Sequence, residues 1–543
     1  MSADIPINLH GEVKGKAAHT LGKQIAFSTA IVMGSVLLSR VLGFGREWAV
    51  AHLVGSNATT DAYYAAFTLP DFLNYLVAAG SLSVTFIPVF SKYMAAKDEA
   101  EGWRVFSIVV TFMGLVLAGV VIVAEIFAPQ LVSVIAPGFG PEEKMRVVSL
   151  TRLMLPAQFC FYMGGILSAV QYAKGQFVVP SLAPLIYNIG IILFGVLLSA
   201  RMGIAGFAVG VLAGAIAGNF LLQVYGAKRA GAKFLPSLNI RHPGFIMFVK
   251  LAIPIMLALS LSFTDDWIIR WFGSYLQPAS ITWLSYAKTL MRVPLGIVGQ
   301  AIGVASFPVM AHLFSEKRFD ELDRILSGTM KGMIVLLMPI TALTVAQSVP
   351  LVHLVFSHTR LHESDLLATA GTLVWFSVGM IAWGAQNILA RAFYAMHDTI
   401  TPAVVGTAIT ILNIPVYWIL AKHMQHLGLA MASSIGITAY TIVLFALLAR
   451  RTTGTGVHSL LGFFGKILLA SAVAGFACWE LVGWLGTHIS WKTLSGSFLD
   501  LTITTIAGLA LTVLLAKVLG VQEVNGYLKR FGGAFRRMTR KSA

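Results

Sequence analysis

The stretch VFSIVVTFMGLVLAGVVIVAEIFA, residues 105–128, carries a single ionisable side chain, Glu125. An apolar run of about 18 or more residues is long enough to cross a hydrocarbon layer of about 30 Å as a helix. Similar runs recur from Ile25 to Leu519. None alternates polar and apolar residues, and each is about two to three times longer than a barrel strand needs. Over the whole chain of 543 residues, 57% are hydrophobic and 11% charged, against roughly 25% charged in a globular average. The reading is an all-α polytopic membrane protein with about fourteen transmembrane helices. Fourteen helices of about 24 residues leave loops averaging about 14, too short for a folded catalytic domain. Soluble enzymes are thereby excluded, and a transporter rather than an enzyme is expected. The two cysteines, Cys160 and Cys478, sit in apolar stretches, so neither a disulfide framework nor a thiolate metal site is expected.

The formal charge of +16 follows topology rather than nucleic acid, because Lys and Arg gather at span ends and not on one polar face. With a cytoplasmic leader at 1–24, cytoplasmic segments collect about 23 basic residues and the opposite ones about 6, which places both termini inside. The leader lacks a small-residue cleavage site and precedes a span carrying Arg40 and Arg46, so it is expected to be retained. The basic tail, with Lys529, Arg530, Arg536, Arg537, Arg540 and Lys541, either stops the last span or also lies on anionic lipid.

An internal repeat shows at a fixed offset of 222: Tyr64-Ala65 matches Tyr286-Ala287, Tyr172-Ala173 matches Tyr394-Ala395, Pro180 matches Pro402, and Gly206-x-Ala208 matches Gly428-x-Ala430. Each copy holds six spans, an even number, so the copies share one orientation and a pseudo-twofold axis along the membrane normal. The organisation expected is a six-helix N-lobe at 25–227, a cytoplasmic linker at 228–244, a six-helix C-lobe at 245–450, two further spans at 451–519 and a cytoplasmic tail at 520–543.

An ionisable residue inside a span costs about 2.5–3.5 kcal/mol on insertion scales, so each should face protein or water and have a partner. In the first span Arg40 and Arg46 lie about 240° apart on a regular helix. A bend at Gly43 and Gly45 would bring both guanidinium groups into one cavity, where planar forks suit the oxygens of a pyrophosphate. The alternative pairs Arg46 with Glu47 or Asp61 near the interface. Asp61 itself reads either as a helix N-cap or as a counter-ion for Arg46. Pro70 should open the second span and place Asp71 in a wet vestibule. Asp265 and Asp266 in span 7 face Lys288 and Arg292, an i,i+4 cationic ridge in span 8. These groups form structural pairs, or the acids bind a coupling cation while the bases bind phosphate. Asn188 and Asn413 read first as interhelical glue, with Asn413 also a candidate beside the coupling acids. His353, His358 and His362 are spaced irregularly and read as exposed histidines rather than a zinc site.

These residues resemble the MurJ (MviN-type) lipid II flippases of the multidrug, oligosaccharidyl-lipid and polysaccharide exporter superfamily. The carriers are Ser-Arg-Val-Leu-Gly-Phe-Gly-Arg at 39–46, Thr-Asp-Ala-Tyr-Tyr-Ala-Ala-Phe-Thr-Leu-Pro at 60–70, Ala-Pro-Gly-Phe at 136–139, Pro-Ser-Leu-Ala-Pro-Leu-Ile-Tyr-Asn at 180–188 and Phe-Tyr-Ala-Met-His-Asp-Thr-Ile-Thr-Pro at 393–402. The resemblance implies two six-helix lobes, a C-terminal helix pair forming a groove for a polyprenyl tail, and alternating access for the head group. It further implies that Arg40, Arg46 and Asp61 are required, the arginines for the pyrophosphate. Implied partners are lipid II or a related polyprenyl-pyrophosphate glycolipid, membrane lipids and cell-wall synthesis proteins, in a bacterial inner membrane. No cofactor is implied, and coupling to Na+, to H+ or to the membrane potential is open. The chain departs from the family's pattern at Asn74, Tyr75, Ala78-Ala79-Gly80 and Thr289, where other members carry charges. Lys288 and Arg292 are therefore expected to supply cations for the head group.

Overall fold

The computed structural model describes residues 15–74, 81–260, 264–451, 457–521 and 523. Tyr75, Ala78, Ala79, Gly80 and the basic tail lie outside these residues. The helices are α1 (Gly15–Leu53), α2 (Ala58–Ala66), α3 (Thr68–Leu73), α4 (Ser81–Ala95), α5 (Glu99–Ile126), α6 (Ala128–Ile135), α7 (Pro141–Met154), α8 (Ala157–Ala173), α9 (Val178–Met202), α10 (Ala205–Gly214), α11 (Leu222–Arg229), α12 (Pro243–Ser260), α13 (Thr264–Gly273), α14 (Ser280–Ser315), α15 (Phe319–Ala346), α16 (Ser348–Phe356), α17 (Glu363–Val378), α18 (Met380–Ala395), α19 (Ile400–Ala449), α20 (Val457–His488) and α21 (Leu494–Val518). A π-helical stretch, Ala215–Leu221, joins α10 to α11. No strand occurs among the described residues. Hydrocarbon offers backbone groups no water, so the i→i−4 ladder must satisfy them within each span.

Eight helical runs among the described residues are long and apolar enough to cross a membrane, and α17 with α18, bent by 42°, makes a ninth. The fifty-residue α19 is twice a span's length and turns back at Gln425. Other expected spans fall on broken helices: α2 gives way to α3 at Phe67, leaving Pro70 in the first turn of α3, where its missing N–H breaks no intrahelical bond.

The repeat is built into the backbone. Gly175 and His397, 222 positions apart, have φ of +72° and +60°. Gly203 (φ 56°, ψ −133°) and Gln425 (φ 51°, ψ −129°), also 222 apart, make the same reversal in each copy. After each reversal the chain returns hard against itself. A Cβ on Gly206 would sit 3.0 Å from the Leu198 side chain and 3.1 Å from Ser199 N; one on Gly428 would collide with the carbonyl of Leu420 and lie 3.1 Å from Ala421 N. These are the same partners shifted by the repeat, which explains why both positions are glycine. Gly428→Ala should destabilise the protein by about 1–3 kcal/mol, and Gly206→Ala by less, as read from thermal unfolding in detergent.

Near a twofold axis a residue meets its own copy. Thr60 Oγ1 and Thr282 Oγ1, 222 apart, are 3.0 Å from each other. The Tyr64 and Tyr286 rings, also 222 apart, meet edge to face at 6.1 Å. The axis therefore runs between α2 and the start of α14.

After the two lobes, α20 packs along α15 and pairs with α21. Between α15, α18, the second half of α19 and α20 lies a cavity of about 960 Å³, walled by Met333, Met338, Ile381, Phe445, Phe464 and Trp479 among others. Its wall is almost entirely apolar.

Candidate functional site

A second cavity, of about 540 Å³, opens between the lobes and is lined by Arg40 from α1, Asp265 and Asp266 from α13, Lys288 and Arg292 from α14, and polar residues of α18 and α19. Three cations face two carboxylates, so the lining carries a formal excess of one positive charge. The acids are held tightly. Lys288 Nζ donates to Asp265 Oδ2 at 2.7 Å and to Asp266 Oδ1 at 2.5 Å, and Arg292 Nη2 donates to Asp266 Oδ2 at 3.1 Å. Tyr417 and Ser433 donate their hydroxyls to Asp265 as well. Lys288 is buried, its ammonium 5.5 Å from the Phe376 ring centroid and 5.9 Å from that of Trp383. Asn413 lines the cavity too, but its Nδ2 donates to Ala432 O at 2.9 Å, tying together the two halves of α19.

Arg40 differs from these. Among the described residues no carboxylate pairs with it, and its charged neighbour is Arg292. Its guanidinium occupies the space beside Gly296 of α14, where any Cβ would collide with it. A half-buried guanidinium with no internal counter-ion is a preformed place for an anion.

Arg46 opens into a third cavity, of about 350 Å³, with Glu47, Asp71, Asn74, Arg270 and Thr289. Lys288, Arg292 and Asp266 line both this cavity and that of Arg40. Gly43 and Gly45 face Asn188 and Ile192 of α9, and no break interrupts the helix from Gly15 to Leu53. The two arginines therefore serve adjoining compartments rather than one. Arg46 Nη2 donates to Glu47 Oε1 at 2.5 Å, and the buried Glu47 also accepts the Tyr64 hydroxyl. Asp71 pairs with Arg270 at 3.0 Å, drawing α3 to α13 across the lobes.

Asp61 is neither the cap of its own helix nor a partner of Arg46. Asn57 caps α2. Asp61 reaches into the other lobe, where its Oδ1 accepts from Thr282 N at 2.8 Å and from Thr282 Oγ1 at 2.6 Å. The residue in the capping position before α14, Ala279, has no side-chain oxygen, so the N-lobe supplies the cap that the C-lobe helix lacks. The same end of the molecule is sealed by Arg360 N on Ala51 O at 3.1 Å, Tyr286 Oη on Gly55 O at 3.4 Å and Gly138 N on Ser274 Oγ at 3.0 Å. Removing a cap costs about 1–2 kcal/mol, roughly a five- to thirtyfold shift in a two-state closure. In a Thr60→Cys/Thr282→Cys background, adding Asp61→Ala should cut the disulfide cross-linking rate by that factor. Asp61→Asn, which keeps an acceptor, should cut it less.

Sequence reasoning missed several of these residues. Glu47 was legible only as one alternative for Arg46, and Gly296, Tyr417 and Ser433 carry no local signal. His353 is buried rather than exposed: its Nδ1 lies 2.9 Å from Ser497 Oγ and its ring meets Trp491 edge on, because α16 packs against α21. No group of three or more candidate metal ligands occurs among the described residues.

A family model described as "Lipid II flippase MurJ" matches residues 50–499. The chain belongs to the MurJ lipid II flippase family. Relatives include a probable lipid II flippase MurJ of Vibrio cholerae, 27% identical over 92% of this chain and 97% of its own length. Another, from Haemophilus influenzae, is 29% identical over 82% of this chain and 90% of its own length. A solved lipid II flippase MurJ in an inward closed conformation has the same fold, with a TM-score of 0.76 over 90% of this chain and 99% of that one at 21% identity. The fold extends to a multidrug resistance MATE family transporter, TM-score 0.61 over 78% of this chain and 95% of that one at 13% identity. The all-helical membrane fold read from the sequence is thus the fold shared with these structures.

Proposed function

We propose that this chain moves lipid II from the cytoplasmic to the periplasmic leaflet of a bacterial inner membrane by alternating access, and that Arg40 is its principal pyrophosphate ligand. The protein is a transporter: it breaks no covalent bond, and its work is to carry a polar head group past about 30 Å of hydrocarbon. The observation that carries the reading is the guanidinium of Arg40, which has no carboxylate partner among the described residues, in a cavity shared with Lys288 and Arg292. The apolar cavity walled by α15 and α20 supplies room for a polyprenyl tail. A multidrug antiporter for cationic drugs would want an anionic pocket, and a lining with excess positive charge disfavours that alternative.

With the termini cytoplasmic, the end sealed by Asp61 and Thr282 is the periplasmic one. Asp265 and Asp266 are already engaged by Lys288, Arg292, Tyr417 and Ser433, so a coupling Na+ at this pair would have to displace Lys288. The membrane potential needs no such site, because an inside-negative potential favours outward movement of a net negative charge by about 2.3 kcal/mol per charge per 100 mV. Leaflet accessibility of lipid II in cells depleted of this protein tests the function: lipid II should accumulate on the cytoplasmic side. An unchanged distribution with no other flippase present would refute it.

A further inference from the structure

The α18 wall of the Arg40 cavity has a chemistry opposite to that of α1 and α14. Trp383, Gln386 and Asn387, at i, i+3 and i+4, share one face of α18 and line the cavity. Asn387 Nδ2 donates to Trp383 O at 2.9 Å, and Asn413 Nδ2 on the facing α19 donates to Ala432 O at 2.9 Å. A backbone carbonyl only accepts, so each of these carboxamides must present its NH2 to the protein and its oxygen elsewhere. Beside Gln386 on this wall, the Tyr440 hydroxyl spends its proton on Pro402 O at 2.9 Å. Among the described residues none donates to the amide oxygens of Asn387 and Asn413.

We infer that Asn387 and Asn413 form a pair of acceptors, with the Gln386 carboxamide beside them on the same wall, that reads the saccharide of the transported lipid through its hydroxyl and acetamido N–H donors. A pyrophosphate offers acceptors alone and belongs on the cationic side; a sugar carries the donors that these oxygens lack. Trp383 stands at the boundary, with the Lys288 ammonium 5.9 Å from its ring centroid, and offers an aromatic surface to the C–H side of a pyranose. The inference rests on the reading of the cavity as a polyprenyl-pyrophosphate site, and it makes the C-lobe the part that distinguishes a loaded carrier lipid from a bare one.

Native mass spectrometry of the purified full-length protein tests it with two probes, lipid II and a polyprenyl pyrophosphate carrying no sugar. Wild type should prefer lipid II by about tenfold or more, the scale of two net hydrogen bonds. Gln386→Ala/Asn387→Ala should lose that preference and bind the sugar-free lipid as wild type does, which also shows that the variant is folded. A wild-type preference near one, or equal loss of both probes in the variant, overturns the saccharide wall. If wild type binds neither probe, the reading of the cavity itself falls.

Discussion

Arg40→Ala should abolish lipid II transport while leaving the protein folded and inserted. Most charged residues in this cavity are neutralised from within, so deleting one of them strands a partner. Arg40 has no carboxylate partner among the described residues, and its removal strands nothing. Insertion should become easier by about 2.5–3.5 kcal/mol, the cost of an intramembrane charge on insertion scales. Binding should suffer in proportion to the hydrogen bonds lost. Two charge-assisted bonds at about 1.5–3 kcal/mol each correspond to a loss of roughly a hundredfold or more. Arg40→Lys keeps the charge but not the planar fork and should recover only part. Gly296→Ala should resemble Arg40→Ala in part, since a Cβ there evicts the guanidinium from its seat. Complementation of a flippase-depleted strain at equal expression is the readout. Full rescue by Arg40→Ala would remove this arginine from the site.

Lys288→Ala should act by the opposite route, through stability. Its ammonium bridges Asp265 and Asp266 from a buried position. Breaking a buried pair from one side costs about 3–5 kcal/mol. The lower end applies here, because Asp266 keeps Arg292 and Asp265 keeps Tyr417 and Ser433. Neutralising the acids together with the lysine, as Asp265→Asn/Asp266→Asn/Lys288→Met, should be milder than Lys288→Ala alone. Thermal unfolding in detergent, run as a mutant cycle, should return a coupling of at least about 1 kcal/mol. Additive losses would mean that the three groups do not act as one unit.

The parts of this architecture that were legible are those with a period or a cost. Fixed spacing exposed the repeat because each copy must make the same reversal, at Gly203 and at Gln425. The cost of a buried charge exposed Asp265, Asp266, Lys288 and Arg292, since span-interior ions must find one another. What stayed hidden depends on contacts that sequence distance conceals. Asp61 meets Thr282 221 residues away, and nothing near Asp61 distinguishes a cap for a foreign helix from a cap for its own. Gly43 and Gly45 read as a hinge, yet α1 stays one continuous helix through both, packed beside Asn188 and Ile192 of α9. The fourteen-span reading meets helices broken inside the bundle, such as α2–α3 and the bent α17–α18 pair, whose ends find partners in the protein rather than in lipid.

Alternating access requires the end sealed by Asp61 and Thr282 to open once per cycle. The Thr60 and Thr282 hydroxyl oxygens are 3.0 Å apart, close enough for cysteines at both positions to form a disulfide. The decisive measurement is the rate at which fluorescent lipid II changes leaflet in proteoliposomes containing the Thr60→Cys/Thr282→Cys protein, oxidised and then reduced. Translocation should stop on oxidation and return to its starting rate on reduction. Movement of lipid II at the uncrosslinked rate through a fully oxidised protein would contradict the account.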